Sequence, residues 1–524
     1  MEKILLIPWL WPTNPNSQTE YHLSLWVILT ALVALLYLSP VAKYPGPLLA
    51  KFTSLPIVYH AWKGDIHLDL WMCHLKYGPV VRYSPSFVSF NTSISLHEIY
   101  GMGSNAWKHH QFEALSPRAQ NLVTLHDKKT HAKRRRLIGR SFTDTYIKTF
   151  ENRMLYHINS FCESIDLLPL QQHTGGWKRE IKMSDWCSYL TFDINMDFIF
   201  GSDYSLLKSS KYRYILNDIE DASTRNAVLI YMPHLAVGGL HRKIFPRAVK
   251  GTRSFWRFIK SAISDHSEPM KRKCVVSNIL QLTNASSESP LSTDTMQSES
   301  GGLAIAGLDT TATAMASVFF YLSRNQHAYE KLASEIRSSF SSADEIQLGP
   351  TLHQCKYLDA CINECLRITP PIGSCLWREV GKGGITVDNN FIPEGFSVGT
   401  SIYSIHHNEG YFSRPHEFIP ERWMVDEQDT QKAAQVAIAK AAFAPFSIGP
   451  RGCIGRPLVN STLKLAIAML IWKYDFRLAD GVAGGKGAGH PLGGRGRTNP
   501  MEFQVLDRIM SIVDGPMIQF RHRT

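Results

Sequence analysis

The stretch "FAPFSIGPRGCIGRPL", Phe443 to Leu458, sets one cysteine, Cys453, in a loop of glycine, proline and arginine. Gly449, Pro450, Gly452 and Gly455 interrupt any helix or strand through it, so the backbone is suited to approach something closely on this side. Cys453 is therefore presented rather than packed. Taken alone, a lone sulfur on a tight turn also reads as a buried structural cysteine, and the rest of the chain has to decide.

Two patterns upstream bear on that choice. "AGLDTT", Ala306 to Thr311, lies within a long apolar helical stretch. Gly307 costs that helix about 1 kcal/mol of propensity. Asp309 and Thr310 add a carboxylate and a hydroxyl to an otherwise apolar turn, which is costly unless they are hydrogen-bonded or used. A threonine hydroxyl bonded back to a helix carbonyl is the plainer reading. Further on, "ECLR" places Glu364 and Arg367 one turn apart, and by itself such a pair on a surface contributes only tenths of a kcal/mol.

Together these residues carry a resemblance that none carries alone. Phe446 to Gly455 fits F-x-x-G-x-R-x-C-x-G, with Phe446, Gly449, Arg451, Cys453 and Gly455 at its defined positions. "AGLDTT" fits an oxygen-binding helix, and "ECLR" followed by "FIPERW" (Phe418 to Trp423) fits the remaining signature. The chain resembles a membrane-bound cytochrome P-450, a haem-thiolate monooxygenase, from the apolar stretch Leu23 to Leu38 and the proline hinge to "DGPMIQFRHR". "LWREV" and "IYSIHHNEGYF" are most similar to filamentous-fungal members that tailor secondary metabolites. The resemblance implies a mainly α fold, a large helical domain with a smaller β-rich N-terminal region, behind an N-terminal transmembrane helix.

It also implies roles. Cys453 is expected to be the axial ligand of a haem b iron, whose potential the glycine loop tunes through backbone amides. Arg451, Arg135 and Arg378 match the propionate partners. His131, one turn before Arg135, stands where many members carry tryptophan and is kept as a further contact. Ala306 and Gly307 are expected to leave room for oxygen, while Thr310 positions a proton donor and Asp309 relays protons from solvent. Glu364 and Arg367 are expected to form a buried structural network with Arg422.

The rest of the chain agrees with an intracellular, membrane-tethered enzyme. At 524 residues, with 44% hydrophobic and 19% charged residues, it is ordinary globular material rather than a disordered chain. Nine scattered cysteines, an odd number without a C-x-x-C pair, argue against a disulfide framework or zinc ribbon and for a reducing compartment. "LSLWVILTALVALLYL", Leu23 to Leu38, carries no charge and no small-residue cleavage site after it, which makes it a retained anchor rather than a signal peptide. The expected organisation is a lumenal N-terminus at 1–20, an anchor at 21–39, a proline-rich hinge at 40–50 around "YPGP", and a catalytic domain at 51–524. Lys43 and Lys51 follow the span, so the positive-inside rule leaves that domain on the cytosolic face of the endoplasmic reticulum. Gly78 to Asn91 alternates as a strand region. Thr149 to Ile165 and Thr311 to Phe340 read as helical, whereas Asn284 to Gly302 and Gly481 to Arg497 read as loops.

The net charge of +11 has one conspicuous source, "HDKKTHAKRRRLIGR", with Lys128, Lys129, Lys133, Arg134, Arg135, Arg136 and Arg140. No aromatic stacking platform or binding module accompanies it, so nucleic acid is not the expected partner. A solvated helix face is the bland reading. The sharper one is a docking surface near Lys133, Arg134 and Arg136 for NADPH-cytochrome P-450 reductase. The stretches expected to line the pocket are mostly apolar, so the substrate is expected to be a hydrophobic secondary-metabolite intermediate of terpenoid, polyketide or alkaloid type. Two alternatives are a haem-thiolate isomerase or dehydratase, which needs no external electrons, and a non-catalytic haem-binding membrane protein. The presence of both Asp309 and Thr310 favours the monooxygenase over either.

Overall fold

The computed structural model describes residues 38–523 apart from 117, 172–174, 265–272, 286–290 and 426–427, together with positions 22–24, 26, 27 and 30. The anchor expected at 21–39 thus lies almost wholly outside the described residues. Among those described, one helix is long and apolar enough to cross a membrane, Thr293–Leu322, and most of it is buried inside the protein. It is the central core helix.

That helix begins where Ser292 accepts a hydrogen bond from the Thr295 amide at 3.2 Å, with Asp294 in the first turn favouring its positive end. The expectation of a loop across Asn284 to Gly302 is corrected here: from Thr293 onward the segment is helical. Its glycines mislead because they serve packing. A side chain on Gly301 would stand 2.4 Å from the Trp256 ring, and one on Gly302 would stand 2.8 Å from the Asn121 amide. The stretch Thr311 to Phe340 is two helices, since the chain turns at Ser323 to Asn325 before Gln326–Ser339.

The β-rich part is a five-stranded sheet. Its spatial order is Val80–Arg82, Phe87–Phe90, Ser397–Thr400, Arg378–Val380, Ala106–Lys108. The alternating stretch at 78–91 supplies the first two strands as an antiparallel pair, Val80 opposite Phe90. Tyr44 to Pro47 packs along the first of them: the Arg82 amide donates to the Pro45 carbonyl at 2.7 Å, and a side chain on Gly46 would stand 2.1 Å from the Arg82 carbonyl oxygen. Glycine is needed between those prolines for that close approach.

The principal core joins Asp144–Asp166, Met183–Phe200, the central helix, Lys356–Ile368 and Arg456–Lys473. The cysteine loop therefore ends on a helix whose far side is fixed in the core, and the edge strand Ala106–Lys108 runs beside Arg378. All nine cysteines are free thiols.

Candidate functional site

The cysteine loop is held by its own backbone. The Cys453 amide donates to the Phe446 carbonyl at 2.7 Å, Gly449 sits at φ +69°, and a side chain there would come within 2.0 Å of the Tyr100 carbonyl oxygen. The helix Arg456–Lys473 starts three residues after the sulfur. Eight cysteines are buried and Cys453 is exposed. Burial nevertheless pushes its thiol up, while the amides of Gly455 and Arg456 and the Arg135 guanidinium favour the thiolate. The sulfur is thus accessible and at the same time largely surrounded by protein.

Around that sulfur the chain gathers positive charge. Arg378 is buried and spends one nitrogen on the carbonyls of Leu376 (2.8 Å) and Trp377 (3.1 Å), with its guanidinium 4.9 Å from the Tyr100 ring centre. Arg451 donates to the carbonyls of Leu125 and His126 at 2.7 and 2.9 Å, tying the cysteine loop to the segment before the basic helix Lys128–Gly139. Burial and the neighbouring Arg378 bring its pKa down to about 10. On the basic helix, buried His131 is brought down to about 4 by burial and by Arg451, Arg135, Lys108 and Arg378, so it is neutral at pH 7 and offers an N–H. Arg135, half-buried on the next turn, has its own pKa lowered by burial, with the Cys453 thiolate acting against that.

Lys108 belongs to this group and the sequence reading missed it. It is buried, its ammonium 3.6 Å from the Phe112 ring centre, and burial together with Arg378 and Arg451 holds its pKa well below the usual lysine range. In the sheet Lys108 lies directly opposite Arg378. Like charges at opposed strand positions repel. Among the described residues none of Lys108, His131, Arg135, Arg378 and Arg451 forms an ion pair with a carboxylate. The only sequence signal was "AWK" on a short strand, and its partner is far along the chain.

A haem suits this donor set. One thiolate ahead of a helix N-terminus matches an iron ligand, and several unpaired cationic groups and an imidazole N–H match two propionates.

The other signature residues are arranged as follows. Thr310 donates to the Ala306 carbonyl at 2.6 Å, leaving its oxygen free to accept. Asp309 lines a polar cavity of about 280 Å³ with Lys182, Asp185, Arg213, Glu220 and Ser511. Burial, then the Glu220 carboxylate, pushes its pKa up to about 7. Gly307 also serves helix packing: a side chain there would lie 2.6 Å from Asn195 Oδ1, and Asn195 donates to the Ala304 carbonyl at 2.7 Å. Its missing side chain lets the central helix close on Met183–Phe200.

Glu364 and Arg367 are both fully buried and doubly hydrogen-bonded, at 2.9 and 3.0 Å. Glu364 also accepts from Arg422 (2.9 Å), Trp423 Nε1 (2.9 Å) and the Ile419 amide (3.0 Å). Burial works to raise this carboxyl, but the two guanidiniums outweigh it and hold it low. Arg367 reaches the carbonyls of His406, Pro415 and Glu417, so one pair fixes the loop at 407–419.

The basic helix needs one correction. Arg134 is not an outward charge: it donates to Glu299 at 2.9 Å and to the Gln120 carbonyl at 2.8 Å, with Glu299 buried on the central helix. Lys129, Lys133, Arg136 and Arg140 are exposed.

Comparison with known proteins agrees with this geometry. Residues 45–485 match the family model described as cytochrome P450. The chain is 39% identical to the cytochrome P450 monooxygenase poxM of Penicillium oxalicum, covering 92% of this chain and 90% of that one. It is 36% identical to the cytochrome P450 monooxygenase AKT7 of Alternaria alternata (93% and 94% covered) and to the cytochrome P450 monooxygenase atnE of Emericella nidulans (93% of each).

Proposed function

This chain belongs to the cytochrome P450 family of haem-thiolate monooxygenases, and from that premise we propose that it uses NADPH-derived electrons and O2 to oxidise a hydrophobic intermediate of a fungal secondary-metabolite pathway. The observation that carries this reading is the set of unpaired cations gathered beside the exposed sulfur of Cys453. The bound haem supplies the oxidising chemistry. Cys453 is its ligand, with the Gly455 and Arg456 amides steadying the negative sulfur. Arg378, Arg451, Arg135, His131 and Lys108 hold its carboxylates. Asp309, poised near neutral pH, moves protons between the polar cavity and the inner face of the helix, and Thr310 orients the last hydrogen bond.

Electrons come from NADPH-cytochrome P450 reductase, which docks on Lys133 and Arg136 with Lys129 and Arg140 beside them; Arg134 is excluded by its bond to Glu299. The enzyme is held at the endoplasmic reticulum membrane by residues 21–39, with the hinge at 40–50 and the catalytic domain cytosolic. An apolar surface supports that attachment. Leu55, Tyr59 and Trp62 on the helix Leu55–Lys63 are exposed, as are Val237, Leu240 and Ile244, and a cleft of about 770 Å³ between the two regions includes Val58, Val228 and Phe245.

The test is a deletion strain complemented with the wild-type gene under 18O2. One metabolite should accumulate on deletion and disappear on complementation, with a product carrying 18O. A product lacking the label, formed without NADPH, contradicts the monooxygenase reading and favours an isomerase or dehydratase.

A further inference from the structure

Apart from the cation cluster, a second group of titratable side chains converges, two imidazoles and a carboxylate. His407 ends the short helix Ile402–His406, His416 lies in the loop that supplies Pro415 and Glu417 to Arg367, and Glu502 comes from the C-terminal segment. One ring nitrogen each of His407 and His416 and a Glu502 oxygen lie within 4.8 Å of one another, with His416 Nδ1 3.5 Å from the carboxylate. The His416–Glu502 separation of 3.5 Å is about what two ligands on one tetrahedral zinc show, given bonds of about 2.0–2.2 Å.

The surroundings prepare these atoms. His407 Nδ1 bonds the Tyr403 carbonyl at 2.9 Å, so that nitrogen carries the proton and Nε2 keeps its lone pair. His407 is 3% exposed and its Nε2 has no hydrogen-bond partner. A buried imidazole nitrogen left unsatisfied is costly. Tyr403 also donates its hydroxyl to Glu502 at 2.5 Å, orienting the carboxylate. One tyrosine thus steadies two of the three ligands, an outer shell of the kind metal sites use. His416 is about a third exposed and gives an ion a route in.

Two other His and carboxylate groupings among the described residues lack these features. His109 Nδ1 is spent on the Gln111 amide and His110 on Glu379, while the Asp193 carboxylate is spent on the amides of Leu206 and Leu207.

We infer that His407, His416 and Glu502 bind a divalent transition-metal ion of the zinc class, with a fourth position open to water. Two imidazoles and one carboxylate suit zinc better than calcium or magnesium, which take oxygen ligands. The ion ties the C-terminal segment to the loop on Arg367, which makes it a structural clasp away from the catalytic chemistry.

The test uses untagged, haem-loaded, full-length protein, stripped with chelator and titrated with zinc chloride. Zinc content after equilibrium dialysis should reach one per chain at micromolar free zinc, with a zinc-edge absorption spectrum of nitrogen and oxygen neighbours at about 2.0–2.2 Å. His416→Ala should weaken binding at least about 100-fold, and Tyr403→Phe about 10- to 100-fold, with haem content unchanged in His416→Ala. Zinc should raise the unfolding temperature of the wild type and leave that of His416→Ala where it was. Absence of stoichiometric zinc in the wild type overturns the inference. So does stoichiometric zinc of unchanged affinity in both His416→Ala and Glu502→Gln, which places the ion elsewhere.

Discussion

At the scale of single residues, Asp309 and Thr310 carry the most specific expectations. Asp309 has a folded pKa raised to about 7, so between its unfolded value and pH 7 the folded protein holds a proton that the unfolded chain releases. Stability from this group is present at acid pH and lost as pH rises through about 7. Asp309→Asn removes that loss. The unfolding temperature of the haem-loaded variant should exceed that of wild type by a margin that widens from pH 4 to pH 7 and then levels; a pH-independent difference contradicts the burial argument. Thr310→Ala removes the hydroxyl bonded to Ala306 and leaves the cysteine and cations in place. NADPH consumption should continue while product formation falls, with hydrogen peroxide released. Unchanged coupling would reassign proton positioning to Asp309, Thr311 or the substrate.

At the scale of elements, the helix Lys356–Ile368 depends on one fully buried pair. Glu364→Ala leaves Arg367 charged and uncompensated and takes the acceptor from Arg422 and Trp423, a loss on the order of 3–5 kcal/mol. Haem-loaded yield should collapse, and denaturant unfolding of what remains should show that loss. The basic helix separates two kinds of arginine. Arg136→Glu should slow reductase-driven turnover at low salt and leave the unfolding temperature alone, whereas Arg134→Glu should lower that temperature by breaking the bond to Glu299. Equal thermal effects in the two variants would undo the distinction. These elements also show what the sequence could and could not reveal. The cysteine loop and "ECLR" were legible because their defining residues lie within a turn or two of each other. Lys108 was not, since its meaning depends on pairing with Arg378 across the sheet. Gly301 and Gly302 were misread for the same reason, and the packing role of Gly307 was missed. A glycine that admits Trp256, Asn121 or Asn195 looks in sequence like a loop residue or like space for a ligand.

At the scale of the whole molecule, the proposed membrane attachment divides between residues 1–40 and the exposed apolar surface around Leu55, Tyr59, Trp62, Val237, Leu240 and Ile244. Deleting residues 1–40 should convert the protein from one that needs detergent for extraction to one released by alkaline carbonate, with haem content kept. Adding Val237→Ser and Ile244→Ser should move it to the soluble fraction. If the truncated protein still needs detergent, the anchor lies elsewhere. The account as a whole rests on Cys453 as the haem ligand, set among cations that form no ion pair with a carboxylate among the described residues. The carbon monoxide difference spectrum of the reduced protein tests this most directly. Wild type and Cys365→Ser should both show the red-shifted Soret band of a thiolate-ligated ferrous carbonyl, and Cys453→Ser should lack it. A haem-loaded wild type without that band, or a Cys453→Ser protein that keeps it, would contradict the assignment.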